Sequence, residues 1–561
     1  MNRSDFDLSI YLVTNAEMVP EGLSFLDQVR KAIDNGATTI QLREKNIETR
    51  DFIERASQVH ELTKAAGIPL IINDRVDVAL AVDAEGVHVG QTDMPVPLVR
   101  KLVGEEKIIG VSTGKVEEAR QAIKDGADYV GIGIVYDTKT KDHKKIPFGT
   151  LGIREILTVL LNEGGADIKT CAIGGVNQTN VQKVLYQGSI PGKKLDGVAV
   201  VSCIMAQENA AEATRVLVAK FHSHAPWLSD DHRADNEFFS NVTEKAKTVA
   251  DTNPMIHHIT NGVVKNFSAN VTLAVGASPI MSESFQEFEE FARLPTTGLV
   301  LNTGTQSAEN FVQMVIDAAK AYNATGNPIV FDPVGCGASE MRKHRTRLFL
   351  DAGYFTVIKG NVSEILTVAG EANQMRGVDT GDLSALTEEA IVAAAKRAAL
   401  NNRCIVVVTG AVDYVVDGIL DGANYYDSQP TQRVFKVQGG SSIMGDVTGT
   451  GCSLGSVIAA YITTFPATPL EATIAAVHHY KYVGAVAARR STTPNGISST
   501  GPRPGSFMSN FLDDLYGFRT QEESKVGHKI LIGPDPDKTF YTKLESSENG
   551  RYPAEVEEIF I

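Results

Sequence analysis

The first two hundred residues alternate short apolar runs with longer amphipathic stretches. Between the runs, apolar residues recur at helical spacing, as in Phe25 to Asn35 and Val116 to Asp125. Gly36, Gly67 and Gly126 follow such stretches, where the C-terminal caps of helices favour glycine. The apolar, β-branched runs of strand length are 8–13, 38–42, 69–72, 86–89, 107–111, 128–134, 168–173 and 195–201. Eight strand–helix repeats predict a (β/α)8 TIM barrel, with a doubly wound sheet as the alternative.

The pattern stops at residues 222–240, which are polar and aperiodic, as boundaries between domains tend to be. Beyond them, strand-like runs recur at 298–302, 328–332, 354–358, 404–409 and 412–416, separated by helical patterns, which predicts a second α/β domain. From about Gln521 the chain is polar and weakly patterned, a tail or an extension packed on the second domain. The predicted organisation is therefore a barrel at 1–221, a linker at 222–240, an α/β domain at 241–520 and a C-terminal extension at 521–561.

Length and composition are compatible with this division. A chain of 561 residues is too long for one hydrophobic core, and 43% apolar with 22% charged residues is ordinary for a globular protein. No apolar run reaches the ~18 residues of a membrane span, and no apolar signal region precedes the first strand, so we expect a cytoplasmic protein. Five scattered cysteines without a CxxC pair indicate neither a disulfide framework nor a zinc site. A net charge of −15 argues against nucleic-acid binding.

Polar residues stand where the predicted barrel strands end, and in such barrels the strand ends build the active site. They are Gln41, Arg43, Lys45, Asn73, Asp74, Gly90 to Asp93, Ser112, Thr138 to Lys141, Gly174, Gly175 and Ser202. Each residue alone has an ordinary explanation as a turn, a cap or a solvated surface. Such groups follow seven consecutive strands and meet at one rim. A purely structural role does not readily explain this arrangement.

The charges on this rim suit two anions. Arg43, Lys45 and Lys141 can hold a diphosphate. Asp74 and Asp93 are hard oxygen ligands for Mg2+, which takes one or two carboxylates together with substrate phosphates.

A second anion position is predicted at the end of the barrel. Gly174-Gly175 permits close approach of the backbone and, with Ser202, stands after strands seven and eight, where barrels commonly bind phosphate. We therefore expect a diphosphate leaving group and a phosphorylated acceptor in one mouth.

The residues themselves resemble those of thiamine-phosphate synthases. The motifs QLREK (41–45), ND (73–74), GVHVGQTD (86–93), DGADYVGIGIVYDTKTK (125–141) and AIGGV (172–176) carry the resemblance. It implies Mg2+ on Asp74 and Asp93, and the aminopyrimidine diphosphate on Gln41, Leu42, Arg43, Glu44, Lys45, Asn73, Ser112 and Lys141. It further implies the thiazole phosphate on Thr138, Lys139, Thr140, Gly174, Gly175, Val201 and Ser202.

The implied reaction joins 4-amino-2-methyl-5-(diphosphooxymethyl)pyrimidine to 4-methyl-5-(2-phosphoethyl)thiazole. Loss of diphosphate leaves a pyrimidine carbocation, which the thiazole nitrogen captures. The chemistry requires no protein nucleophile, and Arg43 and Lys141 would stabilise the departing diphosphate.

The second domain has a glycine-rich segment, Met444 to Cys452, directly before an apolar helical run, Ser453 to Thr464. Glycine-rich backbone at a helix N-terminus can bind an anion, although tight helix packing is the alternative. No Gly-Lys-Ser/Thr follows, so this is not a Walker A loop. Asp332, Asn361 to Glu364 and Thr409 follow predicted strands, at the edge where open α/β sheets bind ligands.

These motifs resemble those of hydroxyethylthiazole kinases, which have a ribokinase-like fold. The resemblance is carried by HHITNGVVKNFSANVTLAVGASPIM (257–281), FDPVGCGA (331–338), IKGNVSEI (358–365) and VTGTGC (447–452). It implies Met281 and Gly449 at the thiazole alcohol, with Asn261 close by. It also implies ATP contacts by Arg342 and Thr409, with Asn361, Glu364 and Asp332 organising Mg2+ and phosphates.

Cys452 stands where most ribokinase-like kinases carry an aspartate base. A thiol of ordinary pKa is a weak base at pH 7, so we expect Cys452 to position or partly deprotonate the hydroxyl. Packing at the helix is the alternative role.

The whole chain resembles the fused bifunctional enzymes of thiamine biosynthesis known from fungi, in which the kinase product is the acceptor of the synthase. A different phosphate-handling barrel joined to a sugar kinase, or a thiamine-responsive regulator without turnover, are the alternatives. Retention of Lys141, Asp74, Asp93 and Cys452 argues against the regulator. The resemblance also implies a homo-oligomer, a trimer or hexamer, formed through the kinase domain.

Overall fold

The computed structural model describes residues 3, 5–138, 146–228, 238–304, 310–371, 386–420, 432–492, 501–520, 529–532 and 554–559. The chain divides into two compact units, an N-terminal unit of Met1–Ala225 and a C-terminal unit of Pro226–Ile561. In the described part of the chain, no helix is both long and apolar enough to cross a bilayer.

The N-terminal unit is a closed barrel of eight parallel strands, β1 to β8, in sequence order. This confirms the predicted TIM barrel. Its strands are β1 Ile10–Val13, β2 Thr39–Leu42, β3 Leu70–Asn73, β4 Gly86–Val89, β5 Ile108–Thr113, β6 Tyr129–Ile132, β7 Lys169–Ile173 and β8 Gly197–Val200. Its helices are α1 Phe25–Asp34, α2 Thr49–Ala66, α3 Val76–Val82, α4 Val96–Val103, α5 Val116–Asp125, α6 Gly149–Asn162, α7 Val181–Gly188, α8 Ser202–Met205 and α9 Ala210–His222.

Two layers of side chains hold the barrel together. Alternate strand residues point outward and pack against the helices, as Leu42 and Ile72 do. The others fill the lumen, where Tyr11, Ile71 and Tyr129 form one cluster. Gly67 and Gly126 end α2 and α5 with φ of 70° and 71°, in the left-handed region that favours glycine. The strand ends therefore carry polar residues above a lumen that is filled with side chains.

The C-terminal unit is built on a nine-stranded sheet with the order β11-β10-β12-β13-β14-β15-β16-β17-β19. Its strands, with a separate β18–β9 pair, are β9 Phe238–Asn241, β10 Met255–Ile259, β11 Ser278–Ile280, β12 Thr297–Asn302, β13 Ile329–Asp332, β14 Val357–Asn361, β15 Ile405–Thr409, β16 Asp413–Val416, β17 Val434–Gly439, β18 Lys529–Ile532 and β19 Ala554–Glu558. Its helices are α10 Val242–Thr252, α11 Lys265–Ala274, α12 Phe288–Ala292, α13 Phe311–Thr325, α14 Glu340–Ala352, α15 Val362–Val368, α16 Glu388–Asn402, α17 Thr450–Thr464, α18 Pro469–Arg490 and α19 Pro504–Phe518.

The sheet is parallel from β11 to β15 and antiparallel from β15 to β19. Helices α17 and α18 pack on one face and are buried along most of their length. A second apolar cluster on the sheet includes Leu299, Phe331 and Val406. The carboxyl ends of β12 to β15 consequently meet at one edge, beside the N-terminus of α17.

Parts of the predicted linker and of the predicted C-terminal extension belong to this unit. Trp227 stacks on Tyr354 with ring centroids 5.2 Å apart, and β9 begins at Phe238. Strand β18 pairs with β9, and β19 adds an edge strand to the main sheet. The buried Val556 and the paired Arg433–Glu558 side chains, 2.9 Å apart, hold β19 in place. The domain limits drawn from the sequence remain a prediction.

Candidate active sites

The mouth of the barrel carries an ion pair between Lys45, after β2, and Asp74, after β3. Asp74 has φ of 62°, and its amide donates to the carbonyl of His88 at 2.8 Å. This backbone conformation is uncommon outside glycine, asparagine and aspartate, and it turns the Asp74 carboxylate toward Lys45. The pair is partly exposed, with 49% of the Lys45 side chain and 20% of the Asp74 side chain accessible. Both groups can therefore be reached by a charged ligand.

Asp93 closes the loop that follows β4. One of its carboxylate oxygens accepts from the amide of Gly90 at 2.9 Å. A Cβ at Gly90 would lie 2.8 Å from that oxygen, so a larger residue there would displace the Asp93 carboxylate. Across the described residues, no group of three or more His, Cys, Asp and Glu side chains could hold a metal ion. Two carboxylates that share Mg2+ with substrate phosphates do not need such a group.

Residues of the QLREK motif divide between the lumen and the outer layer. Gln41 points into the lumen, whereas the Leu42 side chain is fully buried among the core residues outside the barrel wall. The Glu44 carboxylate accepts from Arg55 of α2 at 2.7 Å. The Arg43 amide donates to Thr14 at 3.1 Å. Leu42 can therefore offer a ligand only its backbone, and the Glu44 carboxylate is already paired.

Five side chains form a continuous hydrogen-bonded row in the lumen below the mouth. Gln41 Nε2 donates to the Tyr11 hydroxyl at 2.7 Å, and the Tyr11 and Tyr129 hydroxyls are 2.6 Å apart. Tyr129 lies 2.9 Å from His88 Nδ1, and His88 Nε2 lies 2.9 Å from Ser112 Oγ. Of these five residues, only Gln41 and Ser112, the two ends, were predicted from the sequence. Tyr11, Tyr129 and His88 were missed because each lies within an apolar strand run and was taken for a core residue. The alternation of side chains along a strand, which places these three in the lumen, could have identified them.

The opposite side of the mouth is formed after β7 and β8. Gly174 and Gly175 have φ of 97° and 69°, and a Cβ at either would lie within 2.9 Å of the β6 loop. Val201 packs on the lumen cluster, and Ser202 begins α8. Asn73, the last residue of β3, is buried at the mouth. Thr138 is placed after β6, whereas the predicted Lys139, Thr140 and Lys141 lie outside the described residues.

A cavity of about 940 Å³ lies at the carboxyl edge of the second sheet. The glycine-rich segment forms one wall, and Gly449, with φ of 97°, is the N-cap of α17. The predicted residues that line the cavity are Asn261, Asp332, Asn361, Glu364, Thr409, Gly449 and Cys452.

Asp332 is the centre of a buried polar cluster in this cavity. Its Oδ2 accepts from Lys359 Nζ at 3.0 Å and from the amide of Asn302 at 2.9 Å. Asn302 in turn accepts from Asn261 at 2.9 Å. Oδ1 of Asp332 is buried and has no hydrogen-bond partner among the described residues. Burial raises the pKa of Asp332, and the Lys359 charge opposes that rise. A cation at the free oxygen would offset the cost of burying this carboxylate.

Glu364 is held by the backbone around it. Its two carboxylate oxygens accept from the amides of Gly335 at 2.8 Å and Asn361 at 2.7 Å. The second bond belongs to a capping box at the start of α15. Burial raises the pKa of Glu364 to about 7, and the neighbouring charge of Asp332 adds to the effect.

Lys359 was not selected from the sequence, although it lies in the IKGN motif. Besides its bond to Asp332, Nζ donates to the carbonyl of Gly451 at 2.8 Å, so this buried cation connects β13 with the glycine-rich segment. Its position became visible only when β13, β14 and α17 were brought together. The structure also places Asp413 and Lys481 in the cavity wall, 2.9 Å apart.

Two predicted residues are described but do not line the cavity. The Arg342 guanidinium donates to backbone carbonyls of Thr303 (3.3 Å), Val334 (3.2 Å) and Gly304 (3.1 Å). Met281 directly follows β11, at the end of the sheet. Gly304 does line the cavity, so Arg342 supports its wall.

Comparison with known proteins assigns each unit to a family. Residues 10–204 match the Thiamine monophosphate synthase family, and residues 246–521 match the Hydroxyethylthiazole kinase family.

Single proteins span both regions. The Thiamine biosynthetic bifunctional enzyme of Saccharomyces cerevisiae is 40% identical over 533 residues, covering 92% of this chain and 96% of the relative. The Probable thiamine biosynthetic bifunctional enzyme of Schizosaccharomyces pombe is 38% identical over 517 residues, covering 92% and 95%. The Thiamine-phosphate synthase of Clostridium novyi is 43% identical over 213 residues, covering 38% of this chain and 98% of the relative. The chain therefore belongs to the family of bifunctional thiamine biosynthetic enzymes, in which a thiamine-phosphate synthase is joined to a hydroxyethylthiazole kinase.

Proposed function

We propose that the C-terminal unit phosphorylates 4-methyl-5-(2-hydroxyethyl)thiazole with ATP, and that the N-terminal unit couples the product to the aminopyrimidine diphosphate. The observation that carries the coupling reaction is the mouth of the barrel, where Lys45 and Asp74 stand beside polar groups from neighbouring strands. The observation that carries the kinase reaction is the free oxygen of Asp332 beside Lys359 and the start of α17.

In the barrel, the bond between the pyrimidine methylene and the diphosphate oxygen breaks, and the diphosphate leaves with the electron pair. The thiazole nitrogen then donates its lone pair to the methylene carbon. Arg43 and Lys45 hold the diphosphate, and Asp74 and Asp93 would share Mg2+ with it. When bound, that ion supplies charge neutralisation for the leaving group. Gly174, Gly175 and Ser202 hold the phosphate of the thiazole.

In the kinase cavity, the oxygen of the thiazole hydroxyl forms a bond to the terminal phosphorus of ATP while the bond from that phosphorus to the bridging oxygen breaks. ADP leaves with the electron pair of the broken bond, and the hydroxyl proton is lost to water. The α17 N-terminus and Lys359 supply positive charge to the transferring phosphoryl group. Asp332 and Glu364 are the carboxylates that would hold Mg2+ at the phosphates. Cys452 lies beside Asn261 in the cavity wall and orients the hydroxyl.

The fold and the family support three further proposals. The C-terminal unit is ribokinase-like, because its sheet is parallel from β11 to β15 and its predicted ligand groups lie at the carboxyl edge of those strands. The protein forms a homo-oligomer through this unit. It works in the cytoplasm.

One assay tests the proposed pair of reactions. Purified protein is mixed with the thiazole alcohol, ATP, Mg2+ and the pyrimidine diphosphate, and thiamine phosphate is followed by chromatography. We expect thiamine phosphate only when all four components are present. Thiamine phosphate should also form when thiazole phosphate is supplied in place of the thiazole alcohol and ATP. Formation of thiazole phosphate without thiamine phosphate would contradict the coupling reaction that is proposed for the barrel.

A further inference from the structure

The hydrogen-bonded row in the barrel lumen takes no part in the bond changes of the proposed coupling reaction. Its three inner members, Tyr11, Tyr129 and His88, are 1%, 0% and 8% exposed. They come from strands β1, β6 and β4, which are not all neighbours, so the row crosses the lumen. Its ends, Gln41 and Ser112, are among the residues predicted to hold the aminopyrimidine diphosphate.

Glycines on two of the strands leave space for the side chains of this row. Gly110 on β5 is paired in register with Tyr129 on β6, and a Cβ at Gly110 would lie 2.0 Å from the Tyr129 ring. The ring thus occupies the space of a side chain at position 110. Gly131 similarly faces His88, whose Cε1 would be 3.3 Å from a Cβ there. Two glycines therefore make room for the aromatic members at the centre of the lumen.

Among the described residues, with the Gln41 amide oriented as in the structure and His88 neutral, the row has one consistent direction of hydrogen bonding. Gln41 donates to Tyr11, and burial raises the pKa of both tyrosines well above the ordinary value, so each hydroxyl retains one proton. Tyr11 then donates to Tyr129, and Tyr129 donates to His88 Nδ1. The proton of a neutral His88 lies on Nε2 and is donated to Ser112. If Nδ1 carried the proton instead, Tyr129 would donate to Tyr11, and the Tyr11 proton would face the amino group of Gln41. A buried donor without an acceptor is costly, about 1–3 kcal/mol.

This direction determines what the two ends present to a ligand. Gln41 uses its amino group on Tyr11, so its Oε1 remains as an acceptor. Ser112 accepts from His88, so its own proton is available for donation. The mouth thus presents an acceptor on β2 and a donor on β5.

We propose that Tyr11, Tyr129 and His88 are positioning residues that fix this acceptor–donor polarity, and thereby select a pyrimidine with an amino group and an unprotonated ring nitrogen. The inference rests on the proposed coupling reaction and adds the basis of its specificity. The 4-oxo analogue of the pyrimidine diphosphate offers a carbonyl acceptor and a protonated ring nitrogen, which is the reverse polarity. Buried hydrogen-bonding groups left without partners are a strong source of discrimination.

The first test determines the direction of hydrogen bonding along the row from the protonation of His88 in the wild-type protein. In the full chain with 15N-labelled histidine, the two ring nitrogens of His88 are assigned by comparison with a His88→Gln variant. We expect Nε2 to be protonated and Nδ1 unprotonated at neutral pH. Protonation of Nδ1, alone or together with Nε2, would overturn the proposal.

The second test measures selectivity. The ratio of kcat/KM for the amino substrate to that for the 4-oxo analogue is compared between wild type, Tyr11→Phe and Tyr129→Phe. Both variants keep the ring and lose one oxygen, and the intrinsic reactivity of the two substrates cancels in the comparison. Loss of one bond in the row frees its ends to turn, so the ratio should fall about tenfold or more.

Tyr186→Phe is the matched control, because Tyr186 is equally buried but lies on α7, outside the row. Its ratio should equal that of wild type. An unchanged ratio in folded Tyr11→Phe and Tyr129→Phe would overturn the inference while the coupling reaction stands. A wild-type protein that couples neither substrate would overturn the proposed function, and this inference with it. If a phenylalanine variant does not fold, the protonation of the two His88 ring nitrogens in the wild-type protein remains as the test of the proposal.

Discussion

At the residue scale, Asp74 combines a left-handed backbone conformation with an ion pair at the barrel mouth. Asparagine tolerates the same φ, so Asp74→Asn removes the charge with little strain. We expect thiamine phosphate formation from supplied thiazole phosphate to fall by about 10²-fold or more, because a charged group that stabilises the leaving diphosphate is lost. Phosphorylation of the thiazole alcohol should be unchanged.

Asp77→Asn is the control, because Asp77 is exposed and paired with Arg75, two residues before it. It should leave both reactions near wild type. Near-normal coupling by Asp74→Asn would remove Asp74 from the site.

The Cys452 thiol belongs to the same scale. Burial raises its pKa to about 11, and the negative charge of Asp332 adds to the rise, so the thiol is protonated at neutral pH. We therefore assign it to positioning of the hydroxyl. Cys452→Ala should lower kcat about tenfold while changing the KM for ATP less, whereas Cys452→Ser should recover most of the loss.

The pH profile distinguishes positioning from base catalysis. A thiolate fraction grows about tenfold per pH unit below the pKa, so a thiolate base would make kcat climb steadily between pH 7 and 9. We expect no such climb. A rise that Cys452→Ser abolishes, together with a loss of about 10²–10⁴-fold in Cys452→Ala, would identify the thiolate as the base.

At the scale of elements, helix α18 is joined to the β15–β16 turn through one lysine. Lys481 pairs with the buried Asp413 at 2.9 Å and donates to the carbonyl of Gly410 at 2.8 Å. Its own carbonyl accepts from the amide of Gly440, after β17, at 3.0 Å. One residue thus holds two loops of the kinase cavity against a rigid helix.

Lys481→Met should consequently loosen the cavity wall beside Thr409. Removal of one partner leaves Asp413 buried and unpaired, and we expect the C-terminal unit to lose about 3–5 kcal/mol of stability in chemical denaturation. The KM for ATP should rise about tenfold or more, because a small displacement of a binding loop is costly.

Lys436→Met provides the matched comparison. Lys436 pairs with Glu388 at 2.7 Å between β17 and α16, and both side chains are partly exposed. Its loss should cost about 1 kcal/mol or less and leave the KM for ATP unchanged. Equal effects of the two substitutions would contradict the special role of Lys481.

At the scale of the whole molecule, two units with separate cores carry separate sites. A fragment of residues 1–225 contains all eight barrel strands and every proposed synthase residue. It should fold alone and couple the pyrimidine diphosphate to supplied thiazole phosphate, without phosphorylating the alcohol. A fragment of residues 226–561 should do the reverse.

The start of the second fragment matters because Trp227 stacks on Tyr354. A fragment that begins at Asn236 lacks this contact and should be less stable by about 1 kcal/mol or more, measured by denaturation. A folded but inactive fragment 1–225 would show that the barrel site borrows residues from the other unit.

Local patterns in the sequence were sufficient for the barrel, for the family of each unit and for the candidate rim. All eight predicted barrel runs contain strands, because a parallel strand that is buried on both faces forms from a continuous apolar run. The polar residues of the rim lie at or shortly after the ends of these runs in the sequence, so they could be recognised from the same local pattern. Strand β10 was not predicted, since its Met-Ile-His-His-Ile lacks a clear apolar run; both histidines are nevertheless buried.

Tertiary structure alone brought together groups that are distant in the sequence. Tyr11 meets Tyr129 across 118 positions, and Lys359 reaches Gly451 across 92. Such contacts depend on strand register and barrel closure, which place inward side chains of different strands at one level. The sequence therefore determined which chemistry is present at each strand end. The fold decided which buried groups support it, because only packing sets the distances over which hydrogen bonds and ion pairs act.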